Sequence, residues 1–595
     1  MQGSKDRAIG YQPPMLYKPP KLVAADIETD GLGGDFIQAA TWDGQELKYY
    51  DTIDHLWLAL CDNFPKHEIL FHNADYDLRY LIPLIERMAP FGYTAEITVD
   101  GREHIIYVRL LDPDGKKVLN IRDTYATLSK PLKDLAQLAG MEKLDIGLKE
   151  GVTFNPLDPL HMSYLERDVV MLYNAYSNYL TSLRTHWQIT PGYTAGSTAV
   201  KAFRRTLTNG DVHFRHRSEV EAFCREAYFG GLTFVRSIAK HSDVIKIDAN
   251  AMYATCMRNI GAVVSSAAHV YSEYPGYPGI YLCSVYCPYS VPFTFIPMRQ
   301  EYDIMWPRGY FETHLPTNSI ELARQVGYEV DVIEGYVWPA TQPIFSEFVS
   351  RCESMEREYK GQGVYEIVKL MRNSLYGKFG QRAQGKSYYI TDRPTPEMTP
   401  AIDTDGDDIN HLYYLVEDRQ QAHMMIAWAT WVTAEARNTL ARMVYALGPE
   451  NCIYGDTDSI VVKATPEMLT EIPLGPSYGQ WKVEAHYQEF QALAPKLYIG
   501  RHDDEWELRH KGVPKGTISV EELQAIAEGK KHKGATYHTL PKSINTTDGR
   551  KKVSREVART IQTMYNSDKW YVDRDSGIVS PITLGKTYDG QSTFY

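Results

Sequence analysis

The stretch Tyr454-Gly455-Asp456-Thr457-Asp458-Ser459-Ile460 lies between two apolar runs, Cys452-Ile453-Tyr454 and Ile460-Val461-Val462. This pattern predicts a β-hairpin whose turn is formed by Gly455 to Asp458. Asp456 and Asp458 would share one face of a flat strand, and a hairpin tip presents at least one of them at an exposed end. Two carboxylates this close repel each other unless a hard cation lies against them. The stretch therefore indicates a metal site, with a simple polar turn as the alternative.

Two segments earlier in the chain supply partners for these acids. The apolar run Val244-Ile245-Lys246-Ile247 predicts a strand that delivers Asp248 at its carboxyl end, with an aromatic side chain, Tyr253, five residues on. Residues 365–376 contain no Pro or Gly, which predicts a helix that stops at Gly377. The positions i, i+4 and i+7 of that helix share one face and carry a cation, an amide and an aromatic ring: Lys369, Asn373 and Tyr376. Such a face suits a triphosphate, a sugar and a base.

In this order the three segments resemble motifs A, B and C of family B DNA polymerases. The resemblance implies that Asp248 and Asp458 hold two Mg²⁺ ions, with Mn²⁺ as a substitute, while Asp456 lies close by and the Ala249 carbonyl assists. Two metals about 3.5–4 Å apart clamp the attacking 3′-oxygen and the leaving oxygen. The family usually has Ser-Leu-Tyr-Pro where this chain has residues 251–254, Ala-Met-Tyr-Ala. The missing Ser hydroxyl removes one expected triphosphate contact but leaves the metal site intact.

The same resemblance assigns the nucleotide pocket and the DNA contacts. Lys369 would neutralise charge on the triphosphate. Tyr253 would exclude a 2′-hydroxyl, and Asn373 and Tyr376 would line the nascent base pair. The DNA-contacting motifs of the family match this chain at Tyr228, Gly230, Gly231, Thr433, Arg437, Thr457, Lys496 and Tyr498.

The amino-terminal third carries a second set of acids. Asp26 and Glu28 are two residues apart on a predicted strand, so both carboxylates share one face. The segments His72-Asn73-Ala74-Asp75-Tyr76-Asp77 and Tyr164-Leu165-Glu166-Arg167-Asp168 follow, and in this order they resemble the Exo I, II and III motifs of 3′→5′ proofreading domains. The resemblance implies that two metals are bound by Asp26, Glu28, Asp77 and Asp168 and that Tyr164 orients the attacking water. It also implies that Asn73 and Tyr76 grip the unpaired primer end. Lys143, in the segment Lys143-Leu144-Asp145-Ile146, would support catalysis.

The order of these motifs predicts an α+β protein with a right-hand architecture. We expect an RNase H-like exonuclease at 1–190, palm and fingers at 191–480, and a thumb with the C-terminal region at 481–595. Insertions near 271–359 and 381–420 resemble the terminal-protein regions of protein-primed polymerases from small bacteriophages with linear genomes. In that branch the first insertion docks a priming protein, and the second is a hairpin around the template. The early position of Asp26 leaves no room for an additional amino-terminal domain, which also favours this branch.

Composition agrees with this interpretation. A chain of 595 residues is expected to hold several domains. The chain contains no run of 18 apolar residues, so no membrane span is expected, and its polar start lacks the apolar core of a signal peptide. The seven scattered cysteines favour a reducing cytoplasm, that of the host cell if a phage encodes the chain. The net charge of −12 is unusual for a DNA binder, although metal-binding acids explain part of it and a basic stretch lies within 496–570.

The sequence thus predicts a monomeric DNA-directed DNA polymerase with proofreading 3′→5′ exonuclease activity. Its expected partners are a DNA primer-template, deoxynucleoside triphosphates and a priming terminal protein. A family B polymerase-primase that needs no primer is one alternative, and synthesis on a bare single-stranded template would identify it. A catalytically inactive DNA-binding replication factor is the other, although the intact acids at both sites argue against it.

Overall fold

The computed structural model describes residues 10–14, 18–31, 34–102, 104–144, 146, 153–208, 217–301, 303–402, 408–418, 424–511, 518–537, 556–561, 563–564 and 569–585. Asp145 lies outside these ranges, as do parts of the predicted insertion at 381–420 and of the basic stretch within 496–570. Within the described residues, no helix combines the length and apolarity needed to cross a membrane.

The amino-terminal unit is a mixed sheet with helices on both faces. Its elements are β1 (Lys21–Thr29), β2 (Phe36–Trp42), β3 (Leu47–Tyr50), α1 (Ile53–Asn63), β4 (His67–Phe71), α2 (Leu78–Met88), β5 (Thr94–Val99), β6 (Ile105–Leu111), β7 (Lys117–Asp123), α3 (Thr124–Leu128), α4 (Ala136–Ala139), α5 (Pro159–Ser182) and α6 (Ala195–Thr206). Strand β1 pairs in parallel with β4 and antiparallel with β2. Because alternate residues of a strand face opposite sides, Leu22 and Ala24 join the core that contains α5, while Val23 and Ala25 join the core on the other side.

The rest of the chain is built around a second sheet. Its elements up to the last long helix are α7 (Ser218–Glu226), β8 (Thr233–Val235), β9 (His241–Ala249), α8 (Met252–Asn259), β10 (Ala262–Val263), β11 (Ala268–Val270), β12 (Gly279–Cys287), β13 (Met298–Gln300), β14 (Asp303–Met305), β15 (Arg308–Pro316), α9 (Thr317–Gln325), β16 (Glu329–Val337), β17 (Thr341–Gln342), α10 (Ser346–Glu358), α11 (Gly363–Phe379), β18 (Gln384–Ile390), β19 (Thr399–Ile402), β20 (Asp408–Asp418) and α12 (Ile426–Ala446). The remaining elements are β21 (Cys452–Asp456), β22 (Ser459–Val462), α13 (Pro466–Thr470), β23 (Trp481–Ala494), β24 (Leu497–His502), β25 (Glu505–Arg509), α14 (Val520–Ala527), β26 (His532–Tyr537), β27 (Glu556–Ile561), β28 (Trp570–Val572), β29 (Val579–Pro581) and β30 (Thr583–Leu584).

This second sheet is antiparallel and has the order β25-β24-β23-β9-β22-β21-β8. It contains the predicted hairpin as β21 and β22, and the predicted Asp248 strand as β9. Strands β23 to β25 extend the same sheet to Arg509. The predicted boundary at residue 480 is therefore misplaced, because it would separate three strands from the sheet they complete.

The predicted helix at 365–376 is longer than expected. Helix α11 passes through Gly377 and ends at Phe379, with Gly380 as its C-cap. The ring of Phe379 is fully buried against Phe203, Phe345 and Trp428. Burying this ring stabilises the last turn, and that gain outweighs the cost of about 1 kcal/mol for a glycine inside a helix.

Both predicted insertions contain β structure. The first supplies β12, β15 and β16 of a five-stranded sheet in the order β11-β16-β12-β15-β30, in which β30 comes from the C-terminal region. In the second, β18 pairs with β20 and also with β5 of the amino-terminal unit, where Tyr388 lies opposite Ile97. The hairpin of the second insertion therefore continues the sheet of the amino-terminal unit across the boundary between the two units.

Candidate active sites

The hairpin that carries the predicted polymerase acids has a two-residue turn. Asp456 pairs with Ser459, and the turn consists of Thr457 and Asp458. Thr457 has a φ of +62°, in the left-handed region, and the N–H of Asp458 donates to the carbonyl of Asp456 at 2.7 Å. This tight turn gives the two carboxylates different surroundings, although a flat strand would have placed them side by side.

Asp458 lies beside Asp248 on the neighbouring strand. Ser459 pairs with Asp248, and the N–H of Ala249 donates to the carbonyl of Asp458 at 2.8 Å. Burial raises the pKa of Asp458 to about 6, with further contributions from the Asp248 and Asp456 carboxylates. Burial also raises the pKa of Asp248, although Lys482, with its Nζ at 3.0 Å from Oδ1, opposes the shift. The Asp248–Asp458 pair is therefore short of positive charge.

Asp456 is instead paired with a lysine. The Lys496 ammonium donates to both Asp456 oxygens, at 2.6 and 2.8 Å. The hydroxyls of Thr233 and Thr457 donate to the same carboxylate at 3.0 and 3.1 Å. These four contacts satisfy Asp456 within the protein, whereas no Lys or Arg forms an ion pair with Asp458 in the described part of the chain.

A third acid near this pair was not found from the sequence. The register of β23 against β9 shifts between Val483 and Ala485, so Glu484 sits in a β-bulge. The Glu484 charge contributes to the raised pKa of both Asp248 and Asp458. A bulge breaks the alternation from which strand faces are read, so the sequence contains no signal that would place this carboxylate beside the other two.

The predicted nucleotide face of α11 is exposed where it carries Lys369 and Asn373. The ring of Tyr376 stacks on that of Tyr253 at a centroid distance of 4.0 Å and an interplanar angle of 16°. Arg372, on the buried side, donates to the Asn373 Oδ1 at 2.6 Å and thereby orients that amide. The structure thus brings Tyr253 and Tyr376 together close to Asp458, and Asn373 and Lys369 continue along the exposed face of α11.

Two of the predicted DNA contacts are inside the protein. Thr433 and Arg437 are each 2% exposed. Arg437 donates to the carbonyls of Phe229 and Gly230 at 2.8 and 2.9 Å, and Thr433 donates to the carbonyl of Thr430. The prediction of direct DNA contact is corrected accordingly, because Arg437 instead supports the backbone of the Tyr-Phe-Gly-Gly segment.

That segment lies against the acid-bearing turn. A Cβ at Gly231 would be 2.6 Å from the Thr457 hydroxyl, so only glycine allows this approach. Gly230 is exposed and Tyr228 is half-buried.

Tyr498 differs from the prediction, since it is 4% exposed and its hydroxyl donates to Glu507 at 3.0 Å. A direct primer contact by the Tyr498 ring is therefore also corrected.

The predicted exonuclease acids come together at one end of the amino-terminal sheet. Asp26 and Glu28 lie on β1, Asp77 precedes α2, and Asp168 lies on α5. Burial, followed by the Asp168 charge, raises the pKa of Asp26 to about 7. Burial, followed by the Asp26 and Asp168 charges, raises the pKa of Glu28 to about 9. Burial also raises the pKa of Asp77 and of Asp168. These shifts mark a group of acids that lacks a sufficient counter-charge.

Asp168 is held on one side only. The Lys143 ammonium donates to Oδ2 at 2.7 Å and lies 4.9 Å from the centre of the Tyr164 ring. The other oxygen, Oδ1, is buried and has no hydrogen-bond partner among the described residues. An unpaired buried carboxylate oxygen is costly unless a cation or a ligand reaches it.

The predicted primer-end residues border the same acids. Asn73 is exposed, with a φ of +66°, and its N–H donates to Asp123 Oδ1 at 2.9 Å. The hydroxyl of Tyr76 contacts that of Thr29, at the end of β1. Both residues therefore line the same cavity as Asp26 and Glu28.

One cavity of about 1560 Å³ reaches from these acids to helix α11. Its lining on the exonuclease side includes Asp26 and Tyr164, and on the helix side Ser374 and Lys378. The hairpin of the second insertion contributes Lys386. The cavity therefore extends from the exonuclease acids to one side of α11, and the hairpin that extends the amino-terminal sheet forms part of its wall.

The donor set at both sites is suited to Mg²⁺. In the described part of the chain, no three acidic, His or Cys side chains converge closely enough to enclose a metal unaided. Mg²⁺ does not require such a cage, because it keeps several waters and usually binds through one or two carboxylates plus substrate phosphates. The open Asp248–Asp458 pair and the unpaired Oδ1 of Asp168 match that mode of binding.

Known proteins share this fold and this sequence pattern. A family model described as DNA polymerase type B, organellar and viral, matches residues 145–445. The chain is 23% identical over 533 residues to the DNA polymerase of Bacillus phage phi29, covering 82% of this chain and 87% of that protein. It is 26% identical over 356 residues to a DNA polymerase of Kluyveromyces lactis, covering 53% of this chain and 35% of that protein.

The fold agrees with solved structures of the phage enzyme. Phi29 DNA polymerase complexed with primer-template DNA and incoming nucleotide substrates superposes with a TM-score of 0.73 at 19% identity, covering 92% of this chain and 100% of that chain. The predicted α+β fold is thereby confirmed. The family model spans about half of the chain and the phage relative covers most of it. The chain therefore belongs to the type B DNA polymerases of organelles and viruses and is a DNA-directed DNA polymerase.

Proposed function

We propose that Asp248 and Asp458 are the metal-binding carboxylates of DNA synthesis, with the Ala249 carbonyl beside them. The observation that carries this proposal is the charge-deficient pair at the carboxyl end of β9, the central strand of its sheet, close to the stacked rings of Tyr253 and Tyr376. Divalent cations bound there would activate the primer 3′-oxygen and stabilise the leaving pyrophosphate. Asp456, whose oxygens are held by Lys496, supports the hairpin and the segment that follows β23.

The nucleotide lies on the face formed by α11 and the start of α8. Lys369 is exposed and contributes a fixed positive charge for the triphosphate. The Tyr253 ring is backed by the Tyr376 ring, so it cannot move aside without breaking the stack. This rigidity makes Tyr253 a wall against a ribose 2′-hydroxyl, and it leaves Asn373 free to contact the nascent pair.

The second acidic group degrades the primer end. Proofreading by a 3′→5′ exonuclease is typical of this family. Asp26, Glu28, Asp77 and Asp168 would hold two metal ions, and Asp168 offers its unpaired Oδ1 for one of them. Lys143 fixes the other oxygen of Asp168 and lies over the Tyr164 ring, so Tyr164 is positioned to orient the attacking water. Asn73 and Tyr76 grip the unpaired end after it has crossed the cavity from α11.

Initiation uses a protein primer. Support comes from the sheet of the first insertion, whose outward face carries acids beside tyrosines. Cross-strand pairing places Tyr310, Tyr286 and Glu329 in one row, and Glu312, Ser284 and Asp331 in the next. A negatively charged face repels DNA and favours a basic protein surface. A Ser, Thr or Tyr hydroxyl of that protein would take the place of the primer 3′-hydroxyl in the same polymerase site.

We also propose that the protein is a monomer and that it works in the cytoplasm. The state of its cysteines fits that location. All seven cysteines are unpaired, and six of them are buried. Unpaired cysteines are typical of proteins in a reducing compartment. The experiment that tests the proposed function compares primer extension with degradation of single-stranded DNA in Asp458→Ala and Asp168→Ala, each of which should lose only one of the two activities.

A further inference from the structure

Lysine side chains reach carboxylates of the polymerase site in two different ways. Lys246 lies on β9, and its ammonium is 3.0 Å from Glu484 Oε2 and 3.3 Å from the Tyr498 hydroxyl. Its side chain is only 10% exposed, so this contact is permanent. Lys482 contacts Asp248 itself, and its side chain is 47% exposed. A surface ion pair of this kind is worth about 0–1 kcal/mol and exchanges readily with solvent.

The backbone of Lys482 is fixed although its side chain is not. Lys482 pairs directly with Asp248 across β23 and β9. The preceding Trp481 is buried, and its N–H donates to the carbonyl of Pro473 at 2.9 Å. The carbonyl of Gln480 accepts from the N–H of Asn250 at 2.9 Å. The ammonium is therefore delivered to Asp248 on a flexible four-carbon stem from an anchored position.

The Lys482 ammonium contacts Asp248, which is a proposed metal ligand. An ammonium 3.0 Å from Asp248 Oδ1 repels a divalent cation on the same carboxylate, so the lysine and the metal compete for it. Without any cation, Asp248 and Asp458 would face each other uncompensated, because Lys246 is paired with the third acid, Glu484. Lys482 relieves that repulsion in the metal-free protein, and its exposed stem allows it to leave.

We propose that the Lys482 ammonium occupies the place of a divalent cation against Asp248 in the metal-free protein and withdraws into solvent when the metal binds. Lys482 is thus a positioning residue that competes with the metal and keeps the site ordered without it. Metal binding to the free enzyme is weakened by this competition. A nucleotide triphosphate that arrives with its own cation overcomes it more easily. The inference rests on the proposed metal role of Asp248.

The test measures metal binding directly, without DNA or nucleotide. Mn²⁺ is titrated into the full chain and the free ion is followed by electron paramagnetic resonance. An Asp26→Ala/Glu28→Ala background removes the exonuclease metals. In this background we compare Lys482→Met, which deletes the charge at similar length, with Lys482→Arg, which keeps it. Lys240→Met is the matched control, since Lys240 is an exposed lysine directly before β9 that forms an ion pair with Glu489 on β23.

Lys482→Met is expected to lower the Kd for Mn²⁺ about two- to fivefold, as removal of one exposed ion pair allows. Lys482→Arg and Lys240→Met are expected to keep the parental Kd. The melting temperature in EDTA should fall for Lys482→Met and recover with Mn²⁺ by more than in the parent. This second readout also detects a variant that has failed to fold.

An Asp248→Ala variant distinguishes a failure of the inference about Lys482 from a failure of the proposed metal site. If Asp248→Ala abolishes the polymerase-site binding while Lys482→Met leaves the Kd unchanged or raises it, the inference about Lys482 is overturned and the proposed metal site stands. If Asp248→Ala also leaves Mn²⁺ binding unchanged, the proposed metal site itself is wrong, and the inference falls with it.

Discussion

The Lys496 ammonium holds both carboxylate oxygens of Asp456, and the Lys496 N–H donates to the hydroxyl of Tyr454 on the same hairpin. The acid-bearing hairpin and the start of β24 are therefore one unit. We expect Asp456→Asn and Lys496→Met each to slow primer extension about tenfold, which corresponds to about 1.4 kcal/mol.

The double variant distinguishes a coupled pair from two independent contacts. We expect Asp456→Asn/Lys496→Met to be no slower than the slower single variant, because each change removes the same interaction. Single-turnover extension of a short DNA primer measures all three rates. If the double variant were slowed by the product of the two single-variant factors, the two residues would act separately.

Tyr253 is held against Tyr376, so replacing it should open space at the ribose. Tyr253→Val is expected to raise ribonucleotide incorporation relative to deoxyribonucleotide by about 10- to 100-fold, the range that steric discrimination covers. Tyr376→Phe retains the stacked ring and is the control. Equal discrimination by Tyr253→Val and the unaltered enzyme would mean that another side chain forms the wall.

We propose that Lys143 acts on the exonuclease through Asp168, which its ammonium contacts. Lys143→Met should slow degradation of single-stranded DNA about 10- to 100-fold, which is the usual effect of removing a partner that orients a metal ligand. Lys143→Arg should recover part of the rate, and primer extension should be unchanged in both. An unchanged degradation rate in Lys143→Met would remove Lys143 from the site.

The acidic face of the first insertion gives the prediction on initiation. Glu329→Lys/Asp331→Lys should lower nucleotidylation of the priming protein about tenfold, because both side chains are exposed and lie on the outward face. Extension of a DNA primer should be retained. Asp503→Lys/Asp504→Lys makes the same charge change at the exposed turn between β24 and β25 and is the control. Parallel loss of both activities in the first variant would contradict the docking role.

The sequence predicted the strands and helices that carry the acids because each is marked by a local pattern. Apolar runs that end in Asp26 or Asp248 need only the alternation of a strand. Tyr164 and Asp168 need only the spacing of a helix. The hairpin at Asp456 and Asp458 was also predicted, although its turn separates the two carboxylates that a flat strand would bring together.

What the sequence could not predict depends on packing between distant segments. Arg437 is buried because the backbone at Phe229 and Gly230 accepts its hydrogen bonds, and that contact joins residues more than 200 positions apart. Gly377 does not end its helix because Phe379 is buried two residues later. Glu484 lies near Asp248 and Asp458 because of a β-bulge that no sequence pattern indicates. Tertiary contacts decide each of these cases, and local propensity is overridden.

We propose that two separate groups of acids perform synthesis and degradation. The most direct measurement compares Asp458→Ala and Asp168→Ala on two substrates, a primed template with nucleotides and a single-stranded oligonucleotide without them. We expect Asp458→Ala to lose extension and keep degradation, and Asp168→Ala to lose degradation and keep extension. Normal extension by Asp458→Ala, or loss of both activities in either correctly folded variant, would contradict the assignment.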